Sequence, residues 1–141
     1  MKYLYLDTTS NYLYTGVVEN DNLICERKIR FDKDLSTMAL TTMVAMLDER
    51  DIKPVDINKI ILVNGPGSFT GCRIGITIAK TFAWSLNIPI TTISSLEAMA
   101  ITNQDFDFYV PVLDARRDYV FAGIYDNDNN HHQTPPLRDY A

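Results

Sequence analysis

Residues 59–75 read KIILVNGPGSFTGCRIG, and this segment constrains the architecture more tightly than any other part of the chain. The nearly all-apolar run at residues 59–64 predicts a strand in the middle of a covered sheet. A Gly-Pro-Gly turn follows, and apolar residues at helical spacing then predict a helix over residues 69–86. A buried strand that leads through a glycine turn into a helix indicates an α/β protein.

Three strands joined by tight turns are predicted before this segment, over residues 2–7, 12–19 and 23–31. Asn and Asp in the connections suit the left-handed backbone of hairpin turns. Asp34 is a candidate N-cap for a helix that ends near Arg50. After the segment, residues 88–93 predict a strand, and Ser at a cap position predicts a short helix ending near Ile101. The resulting order, βββαβαβα with a mixed sheet, is typical of the ribonuclease-H-like lobe of actin-like ATPases.

The chain is predicted to divide into two parts. Residues 1–103 form the ribonuclease-H-like lobe, and residues 104–141 form the start of a second lobe with an irregular tail. In the second part, a linker over residues 103–107 leads to strands over residues 108–113 and 119–125. The polar tail from Asp126 to Ala141, with Pro135-Pro136, is predicted to be irregular.

Composition excludes several function classes. Apolar residues make up 46% and charged residues 22%, which is an ordinary globular balance. The formal charge of −5, from 13 basic and 18 acidic residues without a basic cluster, argues against RNA binding by the chain alone. Cys25 and Cys72 lack metal spacing and predict reduced thiols. Short apolar runs and an opening that leads directly into a strand predict a soluble, cytoplasmic protein.

The glycines of residues 65–75 allow two interpretations. A strand-to-helix junction presents free backbone amides that attract anions, so the segment could cradle a phosphate or another ligand. The same glycines could instead shape a turn for close helix packing. The segment is neither a P-loop nor a dinucleotide fingerprint, and its spacing favours the packing interpretation.

Small residues also recur along the helix that follows. Gly71, Gly75, Ala79 and Ala83 form a ridge, called here the small-residue ridge, along which another helix could approach closely. Both long helices carry a second apolar face, so we expect one face on the sheet and one on a partner. The predicted partner surface comprises Met38, Leu40, Met43, Val44, Gly71, Gly75, Ala79 and Phe82. The alternative is that both faces are buried within one domain.

Two aspartate turns occupy the places where actin-like enzymes grip phosphate. Asp7, Thr8 and Thr9 form the first, and Asp114 opens the second. Neither turn contains glycine, so neither backbone is freed for close approach to phosphate. The turns therefore predict a degenerate nucleotide site and no cofactor in the isolated chain. For Asp7, capping of its own turn is the alternative role.

GPGSFTGCRIG closely resembles the GPGSFTG-[hydrophobic]-RIG signature of the TsaB (YeaZ) family. Further similarity lies in residues 6–9 (LDTT), 93–100 (ISSLEAMA) and 113–118 (LDARRD), in the expected order. The signature residues are Gly65, Pro66, Gly67, Ser68, Phe69, Thr70, Gly71, Arg73 and Gly75.

The resemblance implies a paralogue of TsaD, which transfers threonylcarbamoyl to the tRNA adenosine next to the anticodon. It implies a non-catalytic, activating subunit whose partners are a TsaD-like protein and a TsaE-like ATPase, with ATP present only in the complex. A homodimer of this chain stays an alternative under the same resemblance. Transfer RNA is expected to contact the chain only through its partners. Two departures stand out: residues 35–37 read LST where the family often has a His-Ser-Glu-like sequence, and family members continue further into the second lobe.

The alternative function is a metal-dependent, glycopeptidase-like hydrolase. It needs a metal or a nucleophile–base pair. TsaD resembles a metalloenzyme with two histidines four residues apart, whereas His131 and His132 are adjacent and predicted to be solvated. Ser68 and Thr70 lie in the motif, but no histidine is assignable as their base. Neither catalytic nor metal-binding residues are therefore predicted.

Overall fold

The structure, a computed structural model, describes residues 1–101 and 105–132. Its first part consists of five strands and three helices in the order βββαβαβα. Their bounds are β1 Lys2–Asp7, β2 Tyr12–Glu19, β3 Asn22–Arg30, α1 Leu35–Asp48, β4 Ile57–Val63, α2 Phe69–Leu86, β5 Ile90–Ile93 and α3 Ser95–Ala100, with a single 3₁₀ turn at Pro54–Asp56.

The five strands form one mixed sheet with the order β3-β2-β1-β4-β5. β1, β2 and β3 pair antiparallel as a meander, whereas β1–β4 and β4–β5 pair parallel. A parallel neighbour requires a crossover connection, and α1 and α2 provide those crossovers. The predicted α/β class and the ribonuclease-H-like order of elements are confirmed.

The core lies between the sheet and the long helices α1 and α2. Side chains alternate between the two faces of a strand, so every second residue of β1, β2 and β4 points to these helices. The buried side chains are Leu4, Leu6, Leu13, Val17, Ile60 and Leu62 from the sheet, with Leu35, Ala39, Met43, Met46 and Leu47 from α1 and Ala79 and Ala83 from α2.

The small-residue ridge of α2 packs on the sheet, which corrects the predicted partner surface. Gly71, Gly75 and Ala79 are buried, and a Cβ atom on Gly75 would overlap Thr8 Oγ1 and lie 3.5 Å from Leu62. Met43 is also in the core, only 1% exposed. Small residues permit close approach of any neighbour, and here that neighbour is a strand and its turn. Gly71, Gly75, Ala79 and Met43 are therefore not available to a partner.

The start of α1 differs from the predicted cap. Asp34 has a left-handed backbone (φ 63°) and its side chain makes no capping hydrogen bond; its carbonyl oxygen accepts the N–H of Met38 instead. An N-cap side chain reaches the first-turn amides from an extended backbone, which Asp34 lacks. α3 does have the predicted serine cap, because Ser94 Oγ accepts the N–H of Leu96.

The second part contains five short strands rather than one strand pair. They are β6 Phe108–Tyr109, β7 Val112–Arg116, β8 Tyr119–Ala122, β9 Ile124–Asp126 and β10 His131–His132. Each predicted strand is interrupted, the first around Pro111 and the second at Gly123. Pro111 has no N–H for a ladder, and its carbonyl accepts the N–H of Gly123 at 3.3 Å. The strands form two sheets, β10-β9-β6 and β7-β8.

The beginning of the predicted irregular tail is an ordered hairpin between β9 and β10. Asp126 accepts the N–H groups of Asp128 and Asn130, and its carboxylate lies 3.0 Å from the ring of His132. The Asn130 N–H, followed by the His132 ring, lowers the pKa of Asp126 to about 2. His131 contacts the ring of Tyr125. Both histidines are therefore exposed, and each contacts a residue of β9. The rest of the predicted tail, from residue 133 onward, lies outside the described residues.

α3 connects the two parts. Leu96 and Ala100 are buried in a second apolar cluster with Tyr125, against which Tyr109 and Leu113 pack. The division at residue 103 stays a prediction, and residues 102–104 of the predicted linker lie outside the described residues. None of the helices in the described ranges is long and apolar enough to span a membrane.

The ridge orientation predicts that Gly75→Leu destabilises the fold. The added side chain would overlap Thr8 and Leu62, so we expect a loss of about 3 kcal/mol or more in the free energy of unfolding through overpacking. Ala45→Leu, at an exposed position of α1, adds a large apolar side chain without that overlap and serves as the control. Urea unfolding followed by circular dichroism measures both variants, and equal stabilities would contradict the orientation.

Candidate ligand-binding cleft

A cleft of about 970 Å³ lies where β1, α2 and α3 meet the β7–β8 ribbon. Its walls contain polar turns and several aromatic side chains. The lining residues are Tyr5, Asp7, Thr9, Ser10, Asn11 and Tyr14 from the β1–β2 hairpin, residues 66–70 at the start of α2, Ser95, Ala98 and Met99 of α3, and residues 113–116 and Phe121 of the ribbon.

The first aspartate turn caps itself and also faces the cleft. Asp7 Oδ1 accepts the N–H of Thr9 at 2.8 Å and the hydroxyl of Thr9 at 2.7 Å. This is the turn-capping role that the sequence left as an alternative. Thr8 points the other way: its buried hydroxyl donates to the carbonyl oxygen of Gly71 at 2.7 Å. Only Asp7 and Thr9 of this turn therefore line the cleft.

Hydrogen bonds hold the first turn, the motif and α3 together. The N–H of Ser68 donates to the carbonyl oxygen of Thr9 at 2.7 Å, and the N–H of Ser95 donates to that of Gly65 at 2.9 Å. The buried hydroxyl of Ser95 lies 3.3 Å from that of Thr9. Three segments far apart in sequence thus share one polar cluster.

The motif glycines serve close packing. Gly65 has φ 113°, a conformation that favours glycine, and a Cβ atom on Gly67 would overlap the carbonyl oxygen of Thr9. Gly71 similarly faces the carbonyl oxygen of Thr8. These contacts support the packing interpretation of the motif, because the space beside Gly67 and Gly71 is occupied by the protein's own backbone.

The other motif residues lie at the start of α2. Ser68 caps the helix by accepting the N–H of Gly71 at 3.2 Å. Phe69 and Thr70 line the cleft and are exposed, as Ser68 is. The guanidinium of exposed Arg73 lies 5.2 Å from the ring centre of Phe69. Burial, followed by the charge of Asp7, raises the pKa of the neighbouring Cys72 thiol.

The second aspartate turn lines the same cleft. Asp114 Oδ1 accepts the N–H of Arg116 at 2.7 Å, and Arg116 also lines the cleft. The structure thus brings Asp7, Thr9 and Asp114 of the predicted degenerate nucleotide site into one cleft.

The aromatic lining was missed from sequence. Tyr5 precedes Asp7 by two residues in β1, so both point to the sheet face opposite the α1–α2 layer. Tyr14 pairs with Asp7 across β1 and β2, which places it on the same face. Burial, with the charge of Asp7 as the next cause, raises the pKa of the Tyr5 phenol. Strand alternation could have identified Tyr5 and Tyr14, whereas Phe121 comes from a separate sheet.

The hydrolase alternative needs a metal set or a nucleophile–base pair. Within residues 1–101 and 105–132, no three His, Cys, Asp or Glu side chains lie close enough together to hold a metal ion. The hydroxyl of Ser68 is engaged with the α2 amide, and His132 with Asp126.

The fold and the paired aspartate turns define the class as a ribonuclease-H-like lobe of the actin-like ATPase type. Solved structures bear out the fold. YeaZ from Pseudomonas aeruginosa superposes with a TM-score of 0.82 at 23% identity over 95% of this chain and 64% of its own. A second structure, described as similar to peptidase YeaZ from the same organism, gives 0.83 at 23% identity over 95% and 63% of the two chains.

Sequence comparisons identify the family. The family model of TsaD, tRNA N6-adenosine threonylcarbamoyltransferase, matches residues 32–135. The tRNA threonylcarbamoyladenosine biosynthesis protein TsaB of Bacillus subtilis is 41% identical over 92% of this chain and 57% of its own length. TsaB of Escherichia coli is 37% identical over 53% of this chain and 34% of its own. The chain belongs to the TsaB (YeaZ) family, and it spans under two thirds of the length of these relatives.

The polar cluster predicts a cost for removing the Thr8 hydroxyl. Thr8→Val keeps the side-chain shape but deletes the buried hydrogen bond to Gly71, so we expect a loss of about 1–2 kcal/mol in the free energy of unfolding. Thr41→Val removes a similar bond to the Thr37 carbonyl on an exposed helix face and should cost less than about 0.5 kcal/mol. Equal losses in chemical denaturation would show that burial of the Thr8 bond is unimportant.

Proposed function

We propose that this protein is a non-catalytic, activating subunit in the formation of threonylcarbamoyladenosine in tRNA, bound to a TsaD-like transferase. The observation that carries the proposal is the 41% identity to TsaB of Bacillus subtilis over 92% of this chain. The glycine-free turns at Asp7 and Asp114 support a non-catalytic role, because they lack the freed backbone that grips a nucleotide phosphate.

The proposed docking surface is the outer side of α1 and α2, on the face of the sheet away from the cleft. Leu40 and Val44, one turn apart on α1, are 44% and 41% exposed. A groove of about 340 Å³ is lined by Ser36, one helical turn before Leu40 on α1, and by Thr70, Arg73, Ile74, Thr77 and Ile78 of α2. Met38 and Phe82, the other accessible members of the predicted surface, are half-buried.

An apolar strip bordered by polar residues has the composition of a protein interface. We assign it to the TsaD-like partner, with a second copy of this chain as the competing occupant. A TsaE-like ATPase would join the assembly. We propose no cofactor for the chain alone, and ATP would act in the assembled complex.

Val44→Glu tests this surface. A carboxylate in an apolar interface would lose its hydration, so we expect association with a co-expressed TsaD-like protein to weaken about tenfold or more, which is about 1.4 kcal/mol or more. Val55→Glu, at a 72% exposed position of the 3₁₀ turn, introduces the same charge elsewhere. Co-purification and calorimetry measure both variants. A folded Val44→Glu protein with unchanged affinity would exclude this surface, and no association of the unmodified chain would overturn the proposed function.

Transfer RNA is expected to reach this subunit only through its partner. The net charge of −5 and the lack of a basic cluster in the sequence leave few groups to neutralise phosphates. At about 150 mM salt we therefore expect no saturable binding of tRNA below about 1 μM in a filter assay. The assembled complex is the positive control. Submicromolar binding by the chain alone would show that it contacts tRNA directly.

A further inference from the structure

We infer that the α1–α2 docking surface binds an acidic, amphipathic helix of its partner, with Arg73 and Lys80 of α2 forming salt bridges to carboxylates two helical turns apart. The inference rests on the proposed docking surface and specifies the chemistry of what binds there.

The two helices of the docking surface differ in charge from the rest of the chain. Arg73 and Lys80 are the only charged residues of α2, and Asp48, the last residue of α1, is the only one of that helix. Lys33 and Asp34, just before α1, offset each other. The helices thus carry two cations and one carboxylate, whereas the whole chain has a net charge of −5. A positive surface on an acidic protein favours an acidic partner, because complementary potentials guide association and exclude wrong partners.

Neither cation of α2 has a carboxylate partner among residues 1–101 and 105–132. The ion pairs of these ranges include neither Arg73 nor Lys80, and both side chains are exposed. Glu49, which directly follows α1, is already paired with Arg27. The two cations are therefore accessible to carboxylates of another molecule.

The Phe69 ring positions the Arg73 guanidinium at the edge of the groove between α1 and α2. The guanidinium lies 5.2 Å from the centre of this ring, and Arg73 is the only charged residue that lines the groove. An arginine that stacks on an aromatic ring keeps its in-plane N–H groups for a carboxylate, which they bind in a bidentate manner. Because a stacked side chain loses less freedom on binding, we expect Arg73 to be the anchor of the interface.

The spacing of the cations suits a helix. Lys80 follows Arg73 by seven residues, so both side chains project from nearly the same side of α2, about 10 Å apart along its axis. Trp84, 87% exposed, lies one turn further along. Ile74 and Ile78 line the groove beside Arg73. A partner helix in this groove would place apolar side chains on the isoleucines and carboxylates two turns apart beside the cations.

A second copy of this chain matches the surface less well. Its α1 and α2 would present Arg73 and Lys80 again, and Asp48 is the single carboxylate that these helices offer in return. An isologous interface sets identical surfaces against each other, so it would contain twice as many cations as carboxylates. The charge therefore favours a partner of different sequence.

Charge variants of Arg73 test the inference by calorimetry with a purified TsaD-like protein. We expect Arg73→Gln to weaken association about tenfold and Arg73→Glu about a hundredfold, because the partner's carboxylates repel the introduced one. Lys80→Gln should weaken association about threefold. For the unmodified chain, the affinity should fall about tenfold between about 50 and about 500 mM salt, and this dependence should be smaller for Arg73→Gln.

Two further variants serve as controls. Arg30→Gln, at an exposed position of β3, removes the same charge outside α1 and α2 and should leave association unchanged. Arg73→Lys keeps the charge but loses the planar fork, so its affinity should lie between those of the unmodified chain and Arg73→Gln. Circular dichroism reports whether each variant is folded.

Equal affinities of the Arg73→Gln and Arg73→Glu variants, or association that is independent of salt, would overturn the inference. Self-association that Asp48→Asn and Arg73→Gln weaken equally would assign the cations to a second copy, and it would also contradict the acidic partner helix. If the unmodified chain does not associate with the TsaD-like protein, the proposed function fails and the inference fails with it. Binding that is insensitive to these charges contradicts the inference alone.

Discussion

The direct contact between α2 and the turn after β1 is the constraint on which the rest of the structure depends. Gly67 and Gly71 lie against the backbone of Thr9 and Thr8, and Gly75 lies against the Thr8 side chain. The Thr8 hydroxyl donates to the carbonyl oxygen of Gly71. Close contact without side chains leaves little freedom for either element to shift. The end of β1 and the start of α2 therefore form one rigid corner, and the cleft opens beside it.

This corner also determines what each side of α2 can do. Because the glycine side of α2 packs against the sheet, only the outer side of the helix is accessible to other molecules. Trp84, 87% exposed, and Arg73 are exposed on α2, as Leu40 and Val44 are on α1. The ligand cleft uses the opposite face of the sheet, through Tyr5 and Asp7. Thr70 lines both the cleft and the outer groove, so the two surfaces meet at the start of α2.

The paired aspartate turns occupy the positions of a nucleotide-type corner but contain no glycine. Asp7 and Asp114 both line the cleft, and each carboxylate closes its own turn in place of a glycine-rich loop. The N–H groups of Ser68 and Ser95 join β1, α2 and α3 by donating to the carbonyl oxygens of Thr9 and Gly65. The glycines of the family motif therefore serve packing, whereas Ser68, Phe69 and Thr70 of the same motif line the cleft.

Local sequence patterns were sufficient to predict most of the secondary structure of the first lobe. The bounds of β1, β2 and α2 follow from period-2 and period-3.6 repeats, and these repeats act within one element. The two aspartate turns could also be paired from sequence. The element that the small-residue ridge faces could not be predicted from sequence, because small residues permit close packing without specifying the neighbour. The β9–β10 hairpin and the meeting of Tyr5 with Phe121 likewise depend on contacts between separate elements, which only the tertiary structure supplies.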